Sequence, residues 1–304
     1  VQVPTSGFQI NTTEQNEQAQ PQVATMPDGN IVTTWASYES NGAWDVFGQI
    51  LSKTGQKIGG EFKVTTYSAN GAGNHRVEVL GEDKFIVVYH TTGLDDETPI
   101  REDIVGQIFD GSGTKIGDEL ILNSNSGSPN TPQNFPSIVS DGNGGFVLTF
   151  TEGSNVDADI IIKSFDGDGN PTSGEVQVNT TTAHTQQAQE ITKLSDGNYL
   201  VVWEAHNDQD GSGIGVFGQI LNEDFSKSGG EFQINDQTTG DQHFHQIQAL
   251  SNGKFVVVWS DVITNSTGWE QPLQIYGKIY SNDGTNAQAF DVASGAVYGY
   301  NGPH

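Results

Sequence analysis

Short apolar runs alternate with polar stretches rich in Gly, Asp and Asn along the chain, and the alternation is repeated five times at a spacing of about 56 residues. The units begin near Gly7, Glu61, Glu119, Glu175 and Glu231. They divide the chain into segments of about 7–60, 61–118, 119–174, 175–230 and 231–292, followed by a tail, 293–304. Each unit opens on a short apolar strand: Phe8-Gln9-Ile10-Asn11, Phe62-Lys63-Val64, Leu120-Ile121-Leu122-Asn123, Val176-Gln177-Val178-Asn179 and Phe232-Gln233-Ile234-Asn235. A segment of period two follows, as at Val23 and Thr25 or Ile247 and Ala249, and predicts a half-buried strand. Next comes Asp28-Gly29, Asp83-Lys84, Gly144-Gly145, Asp196-Gly197 or Asn252-Gly253, which predicts a two-residue hairpin turn. The most apolar strand of the unit comes after it and ends on an aromatic: Trp35, Tyr89, Phe150, Trp203 or Trp259. A third strand reads Val46-Phe47-Gly48-Gln49-Ile50 and recurs at 104–108, 216–220 and 275–279, while residues 160–164 depart from it. Its glycine marks a bend or the close approach of another backbone. No segment sustains helical periodicity.

Four short hairpin-linked strands, repeated at constant period, describe a blade. The chain therefore reads as an all-β, five-bladed β-propeller forming one domain over 1–304. A solenoid would need shorter rungs, and a sandwich would not explain the period. Residues 289–292, Ala-Phe-Asp-Val, also look like an opening strand, which makes six such strands for five blades. One is expected to complete a blade and the other to be spare.

Composition narrows the function classes. There are 38 acidic and 12 basic residues, a net charge of −26, and such a surface repels nucleic acid and anionic lipid. It suits divalent cations and basic partners. No run of 18 apolar residues is present to insert into a membrane. The absence of Cys excludes a disulfide framework.

The fourth unit is the clearest copy. It runs Asp196-Gly197-Asn198-Tyr199-Leu200-Val201-Val202-Trp203, then Asp208-Gln209-Asp210-Gly211-Ser212-Gly213, Gly215-Val216-Phe217-Gly218-Gln219 and Gly229-Gly230-Glu231-Phe232-Gln233-Ile234-Asn235. It resembles repeats of large secreted bacterial surface and adhesin-like proteins that often carry calcium-binding nonapeptide arrays. The resemblance implies a secreted, extracellular, non-catalytic module. The nonapeptide itself is absent from this sequence, so calcium dependence is not implied.

Several residues invite a chemical reading beside a structural one. Asp208, Asp210 and Ser212 share the opening spacing of a calcium loop but lack its distal Glu, so a Ca2+ site and a solvated loop tip both stay open. Asp166-Gly167-Asp168-Gly169-Asn170 looks similar, although its counterparts in other units read as turns. Asp95, Asp96 and Glu97 lie in an acidic insertion of the second unit, suited to a cation or a solvated face. His243 and His245 alternate on one strand, which would place both imidazoles on one face for a transition metal, without a third ligand. The repeated aromatics are core spacers. Trp44, Trp269 and Tyr38 are not repeated and are candidates for stacking on sugar rings. Asn11, Asn179 and Asn265 match the N-glycosylation pattern.

No Cys nucleophile, G-x-S-x-G elbow or phosphate-binding Gly loop is present, and departures between units are mainly in loop length. The sequence expectation is a non-catalytic secreted structural protein. It would associate with copies of itself through Phe8, Ile10, Phe290, Val292, Tyr298 and Tyr300 into a filament or surface layer. The alternative is an adhesin or lectin-like module that binds extracellular glycans or surface proteins, with or without calcium.

Overall fold

The computed structural model describes residues 7–13, 17–40, 42–66, 72–92, 102–124, 131–154, 156–206, 209–264, 270–285 and 287–293. The described strands form five four-stranded sheets with antiparallel pairing. The first holds β1 (Gln18–Thr25), β2 (Ile31–Tyr38), β3 (Trp44–Leu51) and β4 (Lys57–Lys63). The second holds β5 (Ala72–Val79), β6 (Lys84–Thr92), β7 (Glu102–Asp110) and β8 (Lys115–Ile121). The third holds β9 (Gln133–Ser140), β10 (Phe146–Ser154), β11 (Asp157–Phe165) and β12 (Val176–Gln177). The fourth holds β13 (Gln186–Lys193), β14 (Tyr199–Ala205), β15 (Gly215–Leu221) and β16 (Lys227–Gln233). The fifth holds β17 (Asp241–Leu250), β18 (Lys254–Thr264), β19 (Glu270–Ser281) and β20 (Gln288–Ala293). Each is a meander in chain order.

The opening strand of each sequence repeat is the fourth strand of the preceding sheet, so repeat and sheet are out of phase by one strand. Phe62 lies in β4, Leu120 in β8, Val176 in β12 and Phe232 in β16. At the chain ends, Phe290 pairs with Gly277 and β20 completes the fifth sheet. The segment 7–11 belongs to no strand, and Phe8 is 52% exposed. Phe290 and Val292 are therefore part of a strand paired within the chain's own fifth sheet, and the spare copy is the one at Phe8 and Ile10.

Two compact units are distinguished. One takes Val1–Pro136, Ser140–Phe146 and Phe165–Thr172; the other takes Ser137–Val139, Val147–Ser164 and Ser173–His304. In the first, Val32, Val46, Ile50, Phe85, Val87 and Tyr89 are buried together. Phe85 and Phe109 stack at 5.0 Å, and Phe62 tilts against both. In the second, β14 is buried at every residue, as its unbroken apolar run requires, and its alternate side chains feed two clusters. Val201 and Trp203 join Phe217 and Ile191; Leu200 and Val202 join Val257 and Trp259.

Three local features differ from expectation. The β1–β2 connection is longer than two residues: Met26 N–H donates to Asn30 O at 2.8 Å and Gly29 N–H to Met26 O at 2.9 Å, with Asp28 Oδ1 accepting Asn30 N–H. Gly29 takes φ +88°, which suits glycine at that point. The glycine of the third strand makes room chiefly for a side chain of the fourth strand and also for a neighbouring backbone: a Cβ at Gly48 would lie 2.5 Å from Phe62 Cζ and 3.2 Å from Thr33 O. The third feature is a left-handed residue at one place in every first strand: Gln20, Asn74, Phe135, Ala188 and Phe244, with φ between +50° and +56°. The pairing register shifts there, between Ala19 and Gln22, Gly73 and Arg76, Gln187 and Glu190, and His243 and Gln246. This is a β-bulge, which re-aims the flanking side chains.

A recurring clamp ties the first, second and fourth sheets to the connector before their first strand. Lys227 Nζ donates to Asn179 O and Thr180 Oγ1, both at 3.0 Å, while Glu231 accepts Thr180 N–H at 2.7 Å and Thr181 Oγ1–H at 3.1 Å. Lys115 and Glu119 hold Thr66 in the same way, and Lys57 and Glu61 hold residues 11–13.

Candidate functional site

Because the bulge recurs in every first strand, its flanking positions can be compared sheet by sheet, and differences there are departures from scaffold. The residue just before the left-handed one is Ala19, Gly73, Asn134, Gln187 or His243; the second after it is Gln22, Arg76, Ser137, Glu190 or Gln246. The residue following the repeated aromatic of the second strand is Ala36, His90, Thr151, Glu204 or Ser260. The fourth and fifth sheets thus bring Gln187, Glu190, Glu204 and His243 to bulge-flanking positions, all within one unit.

Pairing fixes their arrangement. Glu204 stands opposite Gln187 across β14 and β13, and Glu190 stands opposite Val202. Both carboxylates reach β17. Glu204 Oε1 accepts the Phe244 N–H at 3.0 Å and Oε2 meets His243 Nδ1 at 3.0 Å. Glu190 Oε2 accepts the Ile247 N–H at 3.3 Å, and its Oε1 accepts the Gln246 amide at 2.5 Å. The two acids therefore bind β17 on either side of its bulge. His245 Nε2 donates to Val202 O at 3.1 Å, and the Gln187 amide donates to His206 Nε2, also at 3.1 Å.

The electrostatics follow from burial and partners. Burial alone raises the Glu204 pKa, but the His243 hydrogen bond and charge, the charge of His245 and the Phe244 N–H outweigh it, and the carboxyl is held below the usual range. Burial lowers the pKa of His245 and of His206, in each case against the pull of Glu204. The result is a nearly enclosed, ionised carboxylate touching an imidazole, with a second carboxylate bound three residues further along the same strand. Such a set can accept, hold and return a proton.

The residues singled out from sequence are placed elsewhere. His243 and His245 do not act as a pair on one face, because the bulge at Phe244 breaks the alternation; one meets Glu204 and the other a backbone carbonyl. Among the described residues no group of three or more His, Asp or Glu is arranged to hold a metal. Asp210 accepts Ser212 N–H at 3.2 Å and the Asn235 amide at 2.7 Å, so both of its oxygens serve the loop. Asp166 accepts the N–H groups of Asp168 and Asn170, which is turn chemistry. Asn179 is 1% exposed; its amide donates to Asp159, Thr181 O and Gln186, and its Oδ1 accepts Ile160 N–H. No nitrogen is left there for a glycan. Asn11 donates to Thr13 O and Gln18. Tyr38 and Trp44 face each other across β2 and β3 with ring centroids 5.4 Å apart. Asp95, Asp96, Glu97, Asp208, Asn265, Trp269, Tyr298 and Tyr300 lie outside the described residues. Glu190 and Glu204 were missed in sequence. Comparing the residue after each repeated aromatic would have marked Glu204.

No family model and no curated protein matches the chain. Solved structures do. A protein of unknown function from Dyadobacter fermentans superposes with a TM-score of 0.62 at 15% identity, over 89% of this chain and 78% of that one. The α-L-arabinanase of Penicillium chrysogenum, complexed with arabinobiose, gives 0.55 at 12% identity over 90% and 93%. The NanB sialidase of Streptococcus pneumoniae gives 0.59 at 9% identity over 96% and 63%. Most of these neighbours are enzymes, and this overturns the expectation of a non-catalytic chain, whether a filament protomer or an adhesin. The physical reason is that a regular blade repeat is compatible with catalysis when reactive groups occupy the few positions that differ between blades. The self-association expectation also loses its spare C-terminal strand, since β20 is paired inside the fifth sheet. No described helix is long and apolar enough to cross a membrane. The chain is an all-β propeller of five four-stranded blades, the fold it shares with the arabinanase.

Proposed function

We propose that this chain is a secreted carbohydrate-active enzyme that hydrolyses a glycosidic bond of a neutral glycan, with Glu204 and Glu190 as its carboxylates. The observation that carries the reading is the buried Glu204 carboxylate, held ionised against His243 at a position where the other sheets carry Ala36, His90, Thr151 and Ser260. Glycoside hydrolysis uses two carboxyl groups, one acting on water or on the sugar and one protonating the leaving oxygen. In this assignment Glu204 accepts the proton of the attacking water, whose oxygen bonds to the anomeric carbon. Glu190 delivers a proton to the departing glycosidic oxygen as that carbon–oxygen bond breaks. The similarity to an arabinanase and to sialidases supports a sugar substrate. The net charge of −26 favours a neutral sugar over an acidic one.

The test is release of reducing ends from a panel of neutral and acidic oligosaccharides by the wild type, Glu204→Gln and Glu190→Gln, with circular dichroism confirming that all three fold. Each substitution is expected to lower turnover of a neutral glycan by about 10²- to 10⁴-fold. A wild type that cleaves none of the panel, or a Glu204→Gln variant of full activity, refutes the proposal.

A further inference from the structure

The bulge-flanking positions that carry Gln187, Glu204 and His243 in the fourth and fifth sheets carry Ala19, Ala36 and Gly73 in the first and second. Ala19 pairs with Ala36 there as Gln187 pairs with Glu204, and Ala72 and Gly73 precede Asn74 as Gln242 and His243 precede Phe244. Three of the four side chains are reduced to methyl groups and the fourth to the hydrogen of Gly73, where a Cβ would meet the His90 ring at 2.8 Å. They line a cavity of about 190 Å³ together with Trp44, Glu17 and Gln20, all in one unit. That is room for about six water molecules at ~30 Å³ each, the scale of one sugar ring.

We infer that this cavity is a binding site for a single neutral sugar ring, packed on the indole of Trp44. Trp44 is half-buried, and Tyr38 beside it is 41% exposed, its ring tilted by 59° to the indole at the rim. An aromatic wall meets the C–H face of a sugar, while its hydroxyls need donors and acceptors at the edge. Glu17 supplies a carboxylate acceptor. The exposed Gln20 accepts the Asn74 N–H with its carbonyl at 3.3 Å, which leaves its amide N–H groups as the donors it offers a ligand. Among the described residues no lining side chain is cationic, so a carboxylated sugar finds no counter-charge beside Glu17. The choice of a sugar as ligand rests on the glycan reading above; the site itself is separate from Glu204 and Glu190.

The experiment is a titration of the full chain with L-arabinose, D-xylose, D-galactose, D-glucose and N-acetylneuraminic acid, followed by tryptophan fluorescence and calorimetry. Wild type, Trp44→Ala, Trp44→Phe and the cavity-filling Ala19→Leu are compared, each checked by circular dichroism. At least one neutral sugar is expected to bind, with affinity lowered tenfold or more in Trp44→Ala and Ala19→Leu, less in Trp44→Phe, and with no binding of N-acetylneuraminic acid. Failure of every neutral sugar, or equal binding by Ala19→Leu, overturns the inference. Sugar binding that depends on Trp44 without cleavage of any glycan sinks the hydrolase reading and leaves this site standing. Cleavage with binding and KM unchanged in Trp44→Ala and Ala19→Leu does the reverse.

Discussion

Lowering the pH from 7.5 to 5.0 is expected to destabilise this protein measurably through one side chain, His75. It lies in β5, directly after the left-handed Asn74, and is 0% exposed. Among the described residues neither ring nitrogen meets a partner at full hydrogen-bond geometry, and the backbone of Thr34 offers it a weaker interaction. Burial pushes its pKa down to about 4 from 6.5, Thr34 opposes this in part, and the charge of Arg76 adds to it. The unfolded imidazole therefore takes up a proton below pH 6.5, while the folded one resists until about pH 4. Between those values the unfolded state binds more protons, so stability falls as pH falls, and the loss levels off below the folded pKa. The full difference corresponds to about 3 kcal/mol at ~1.4 kcal/mol per pH unit. At pH 5.0 it amounts to about 2 kcal/mol, and at pH 7.5 it is close to zero. Urea unfolding of wild type and His75→Leu at both pH values isolates the effect, because the lowered pKa values of His206 and His245 are common to both proteins. Working at pH 5.0 stays above the pI of 4.2, which limits precipitation. The wild type should lose about 2 kcal/mol more than the variant. Equal losses would refute the reasoning.

Other perturbations test the scaffold. Gly48→Ala should cost about 1–3 kcal/mol, because the new methyl meets a Phe62 ring already packed against Phe85 and Phe109; Gly60→Ala, with nothing within 4 Å, should stay within about 0.5 kcal/mol in the same denaturation assay. Glu119→Ala removes the acceptor of both the Tyr89 hydroxyl and the Thr66 N–H; a loss of about 1–3 kcal/mol is expected, and a neutral result would show that the clamp adds nothing. Asp210→Ala should lower the melting temperature by the same amount with calcium and with chelator, since both carboxylate oxygens are bonded within the protein; a calcium-dependent difference would restore the metal reading.

The repeat was legible because each blade must bury the same faces. Trp35, Tyr89, Phe150, Trp203 and Trp259 recur at one position and are all at most 7% exposed. Strand number and order followed from that pattern. The phase of the sheets did not, because Phe62-Lys63-Val64 reads equally well as the start of one blade or the end of another, and only pairing with β3 decides. The bulge was also invisible. Its left-handed residues are Gln, Asn, Phe, Ala and Phe, so no glycine marks it in the chain and only Asn74 is of a type that favours the conformation. Sheet context imposes that conformation, and a composition of this kind carries no trace of it.

The bulge also explains why the site was harder to read than the fold. Strict alternation would put His243 and His245 on one face, and one inserted residue sends the first to Glu204 and the second to Val202 O. Glu204 follows Trp203 in a strand whose every residue is buried, where a carboxylate is costly unless paired. A repeat-wide scan for unusual residues finds the acidic loops first, because charge in a loop is conspicuous and cheap. A carboxylate one residue beyond a core tryptophan is less conspicuous, yet it carries a desolvation cost that only its partners on β17 offset. If Glu204 did nothing beyond holding β17, an apolar residue of similar size would serve as well there, and Glu204→Met combined with His243→Leu should fold with unchanged or higher stability. The carbohydrate-active reading requires that double variant to be folded and inactive. A double variant that is folded and fully active would reduce the pair to scaffold.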